Sequence, residues 1–160
     1  MRIGSFRKKV NASQEYFSLA RSDEIVAEKL SQIECYRQAC YFIIQAMEKY
    51  IRAKAFGIVN PKLGFFREEN RSHSLDYTVE FIVKVISPDP VIQQQVLKKL
   101  SEYVLGDPKY NHLHDNIRYS FYFLNLDSYS MFDFSKDDYQ GLFYRLSPLK
   151  DFLNDIDKLL

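Results

Sequence analysis

Three groups of residues in this chain could do chemistry. Five residues separate Arg67 from His73 in Arg67-Glu68-Glu69-Asn70-Arg71-Ser72-His73. A histidine can move a proton near neutral pH, and an arginine can stabilise developing negative charge. Short motifs of this kind also arise by accident. The alternative for His73 is a polar residue in the first turn of a helix, bonded to a local backbone or carboxylate partner. Arg118, followed by Tyr119, is either a structural arginine pairing with a carboxylate such as Glu48 or an anion-binding group. Glu48-Lys49 is an adjacent charge pair within a mostly apolar, aromatic run. It is either a solvated helix strip or a polar device aimed at a partner.

Other chemistry has little to draw on. His112-x-His114-Asp115 diverges on a helix and converges only on a strand or turn, so no metal is expected. Gly-rich phosphate loops and Ser-His-Asp or Cys-His arrangements are missing from the sequence, and no cofactor is expected. Cys35 and Cys40, five apart on one predicted helix, are badly placed for a disulfide and read as small apolar residues in a reducing compartment.

The elements that must position these groups read as helices. The 160 residues suit one domain, and 46% apolar with 27% charged residues suits a globular chain. A net charge of +1 gives no global attraction to nucleic acid. The 13 Phe and 12 Tyr are too many to expose, so most belong to the core and some to a self-association surface. Residues 1–12 read as a flexible basic arm and residues 13–160 as a single domain. No apolar run is long enough for a membrane span, and the start lacks the apolar segment of a signal peptide, so a cytoplasmic location is expected.

A first helix is expected from Ser13, its cap, to Ser31, with Phe17, Ala20, Ala27 and Leu30 inward. A second runs from Tyr36, with Ala39, Ile43, Ala46 and Tyr50 on one apolar stripe at helical spacing, and ends at Gly57. Ser72 is expected to cap a third through Ile86, and Asp89 a fourth that begins with Pro90. The run Ile117 to Leu124 has no clean period and is either a short buried helix or an extended packing segment. Tyr119, Phe121, Tyr122 and Phe123 read as core or dimer contacts, since no basic residues interleave them for base stacking. Ser135 opens a capping-box-like start to a last helix, interrupted near Ser147-Pro148. The fold class is all-α: an up-and-down bundle of five or six helices.

The order Tyr36-x-x-Ala39-Cys40-Tyr41-Phe42-x-x-Gln45-Ala46-x-Glu48-Lys49-x-x-Arg52-Ala53, then His73-Ser74-Leu75, then Arg118-Tyr119 and a last amphipathic helix, resembles the HEPN superfamily. These are small helical domains of higher eukaryotes and prokaryotes, often described as nucleotide-binding. Ser120 stands where the family pattern has proline, and Ser74 where it has aspartate. The resemblance implies a homodimer with a dimer contact on the second helix, a polar centre of Glu48, Lys49, His73 and Arg118, and nucleotide or anion binding by Glu48, Lys49, Arg118 and Tyr119. It implies a non-catalytic module for nucleotide, RNA or a protein partner. Alternatively it implies a metal-independent ribonuclease, a toxin or defence component, using His73 with Arg67 or Arg118 as catalytic residues. A third implication is a structural subunit beside a nucleotidyltransferase.

Overall fold

A computed structural model describes residues 5, 8–60, 62, 64, 74–106 and 109–156. Its elements are α1 (Ala12–Gln32), α2 (Tyr36–Ile58), α3 (Leu75–Ile86), α4 (Pro90–Lys99), a π-helical turn (Leu100–Leu105), α5 (Tyr110–Arg118), β1 (Phe121–Phe123), β2 (Ser128–Ser130), α6 (Lys136–Phe143) and α7 (Leu146–Ile156). With α6 and α7 counted as one interrupted helix, this is the expected all-α bundle.

The axis of the bundle is α2. Ala39, Cys40, Ile43, Met47 and Ile51 are all fully buried, and α1, α3, α5, α6 and α7 pack around them. A helix that is apolar nearly all round belongs in the middle of a domain. α1 lies antiparallel to α2, because Ser13 meets Ala53 while Asp23 meets Lys49. Glu34, at φ +60, makes the tight turn between the two helices.

Several helix ends differ from expectation. Asn11, not Ser13, caps α1, its side chain accepting from the Gln14 N–H at 3.2 Å. Ser13 instead donates to the Ala53 carbonyl at 2.7 Å and ties α1 to α2. Gly57 lies inside α2, which runs on until Val59 turns extended. Packing against α1 carries the helix past its weakest residue. Ser74 caps α3; Ser72 lies outside the described residues. Asp89 caps α4 as expected, with Pro90 at the first helical position. The Ser135–Asp138 capping box closes in both directions, and its hydrogen bonds hold the Asp138 carboxyl below its ordinary value. The last interruption falls before Leu146, so Pro148 sits in the first turn of α7, where its missing N–H costs no helical bond.

The π-helical turn ends at Gly106, at φ +73 and ψ −167. A Cβ there would lie 2.3 Å from the Arg145 guanidinium. Gly106→Ala should therefore lose about 1–3 kcal/mol in urea unfolding. An unchanged midpoint would show that the turn relaxes freely.

The ambiguous run resolves into two different elements. Tyr110 to Arg118 is helical; Phe121–Phe123 then pairs antiparallel with Ser128–Ser130 as a two-stranded ribbon. Arg37 of α2 fixes the root of the ribbon. Its guanidinium donates to the Ile117 carbonyl at 3.1 Å and lies 5.8 Å from the centre of the Phe134 ring.

Candidate functional site

Helical spacing puts Glu48 and Arg52 one turn apart on α2, and both are buried. The Arg52 guanidinium donates to the Glu48 carboxylate at 2.7 Å. Glu48 is therefore neither on a solvated strip nor paired with Arg118. It belongs to an internal ion pair within a single helix. Lys49 turns towards α1 and forms a salt bridge with Asp23. The two adjacent charges face different neighbours, since consecutive residues on a helix are about 100° apart.

The expected polar centre is thus divided. Arg118 is exposed at the end of α5, with its guanidinium 5.0 Å from the centre of the exposed Tyr119 ring. Arg67 and His73 lie outside the described residues. His112 and His114 sit on α5, where their spacing points them apart, and no cluster of three metal-ligating side chains occurs among the described residues. No described helix is long and apolar enough to cross a membrane. Both cysteines are free.

A concave surface lies elsewhere, between α1, the second half of α2, and α7. A cleft of about 530 Å3 is lined by Ser13, Phe17, Tyr50, Lys54, Lys150 and Asn154, among others. A second hollow of about 350 Å3 shares Phe17, Tyr50 and Lys150 with it. The two make one furrow, in the size range of small-molecule sites. Phe17 is 50% exposed and meets the Tyr50 ring edge-on at 5.6 Å. This corrects the expectation that Phe17 faces the core: it forms one wall of the furrow.

A charged cluster lies between the two hollows. Lys150 of α7 reaches both carboxylate oxygens of Glu24, at 2.6 and 2.7 Å. The Tyr50 hydroxyl donates to the same carboxylate at 2.6 Å, and the Lys150 ammonium stands 5.0 Å from the centre of the Tyr50 ring. Burial, together with the hydrogen bond to Glu24 and its negative charge, pushes the Tyr50 hydroxyl well above its ordinary value. Tyr50 therefore serves as a hydrogen-bond donor. The sequence does hold the signal for Tyr50, a tyrosine on the inward stripe of α2. It holds none for Lys150, which meets Glu24 across 126 positions.

Comparison of the chain with protein-family models, curated proteins and solved structures returns no match.

Proposed function

We propose that this chain is a HEPN-like, dimeric binding module without catalytic activity of its own, and that the furrow between α1, α2 and α7 receives a nucleotide or a nucleotide unit of RNA. The observation that carries this reading is the juxtaposition in one furrow of two aromatic rings, Phe17 and Tyr50, with the Lys150 ammonium. A base is a flat aromatic group that stacks on an exposed ring such as Phe17, which the buried Tyr50 backs, and a phosphate is an anion that replaces a carboxylate on lysine. Glu24 holds Lys150 and the Tyr50 hydroxyl until the ligand exchanges for it. The anion-binding role passes from Glu48, Lys49, Arg118 and Tyr119 to Lys150, because none of those four lines the furrow. The family resemblance adds a nucleotidyltransferase as a candidate protein partner, and the two free cysteines favour a reducing, cytoplasmic setting.

Titration calorimetry with a panel of ribonucleotides tests this. Phe17→Ala and Lys150→Ala should each weaken binding about tenfold, close to 1.4 kcal/mol. Glu24→Gln, which removes the competing carboxylate, should tighten it. A wild-type protein that binds no nucleotide would end the proposal. RNA cleavage without added metal, abolished by His73→Ala, would replace it with the ribonuclease reading.

A further inference from the structure

The ribbon β1–β2 and its flanks expose an apolar surface that the bundle does not use. Tyr119, Tyr122, Phe123, Tyr129 and Phe132 are all exposed, Tyr129 at 74%. At the tip Leu124 is 86% and Leu126 66% exposed, and Met131 follows β2. Cross-strand pairing puts Tyr122 opposite Tyr129 on one face, with their rings 5.2 Å apart. Phe121 and Phe123 share the other face, and Phe121 continues through Phe132 to Phe134 at the root. The aromatic chain and Arg37 anchor the ribbon, while its Tyr122–Tyr129 face and its tip remain open.

We infer that this face is the contact between two copies of the chain. It rests on the dimeric part of the reading above and not on the furrow. Two properties select a second copy as the occupant. The first is charge. Residues 119–132 hold one charged side chain, Asp127, and its carboxylate accepts the Tyr122 hydroxyl. A partner recognised by charge finds almost nothing to pair with there. Two identical, nearly uncharged faces meet across a two-fold axis without repulsion. The second is area. Large aromatic side chains bury about 150–250 Å2 each, so the exposed parts of Tyr122 and Tyr129, with the two tip leucines and Met131, offer on the order of 600 Å2 on this side of the ribbon. A standard interface takes about 800 Å2 from each partner. Among the described residues neither outer strand edge of the ribbon pairs with another strand, and residues 119–132 hold no lysine or proline of the kind that usually blocks edge pairing. This places the contact on the ribbon and not on α2, most of which its own chain covers or half-buries.

Light scattering behind size exclusion, run at micromolar concentrations, should find a discrete dimer. Leu124→Asp and Tyr129→Asp should each weaken self-association at least about thirtyfold, as loss of an interface anchor does. Their circular dichroism and their nucleotide affinity per protomer should stay unchanged, because both side chains point away from the bundle and the furrow. A wild-type monomer overturns the inference, whether or not it captures another protein. A dimer that survives both substitutions, or an open-ended assembly, overturns it while leaving the furrow intact.

Discussion

Arg52→Met is expected to destabilise the protein by about 3–5 kcal/mol, the usual cost of removing one partner of a buried ion pair. The Glu48 carboxylate would stay in the middle of α2, with the Arg52 bond at 2.7 Å gone. A carboxylate left buried without its partner bears its full desolvation cost. The double variant Glu48→Gln/Arg52→Met removes both charges. It should recover part of the loss. Urea denaturation reads both effects. Equal losses in the single and double variants would mean that the site is governed by packing and not by charge.

The second large effect lies at alkaline pH. Burial, reinforced by the negative charge of Asp138, pushes the Cys40 thiol from 9.0 up to about 12. Burial likewise raises the Tyr110 hydroxyl from 10.0 to about 12, and that hydroxyl donates to the Leu105 carbonyl at 2.6 Å. Both groups keep their protons longer when folded. Their contributions are complete below the unfolded values, and stability falls as the pH rises from 9 towards 12. At about 1.4 kcal/mol per pH unit, Cys40 alone should cost about 2–3 kcal/mol between pH 9 and 11. Cys40→Ala should delay the onset of that decline by about one pH unit, to where tyrosine begins to titrate. Denaturant midpoints under reducing conditions follow this directly. A wild-type profile flat to pH 11 would contradict it.

The parts of the fold legible in the sequence were those set by local chemistry. Asp89-Pro90 and the Ser135–Asp138 box act within one turn, and each capped a helix as expected. The buried stripe of α2 was legible because its period extends over the whole helix. Phe17 misled because a ring on the edge of an apolar stripe can face a core or a furrow, and only the position of α7 decides which. Gly57 misled because tertiary packing outweighs one poor helix former. The ribbon was hidden by its composition: Phe, Tyr and Leu in succession fit a short buried helix as well as a strand. Within the candidate site, Glu48 was recognised as unusual, but its partner sat four residues away and not on a distant helix.

The cluster of Glu24, Tyr50 and Lys150 also bears on the order of assembly. Its two parts differ greatly in loop length. Glu24 meets Tyr50 across 26 positions, but meets Lys150 across 126. Contacts near in sequence close first, since a longer loop costs more chain entropy before any contact forms. The α1–α2 pair is thus suited to form early, and α7 to dock last along the furrow. The furrow is the final seam of the bundle, and a ligand touching both Phe17 and Lys150 spans it. Such a ligand would act on the unfolding rate more than on the folding rate, turning occupancy into lifetime.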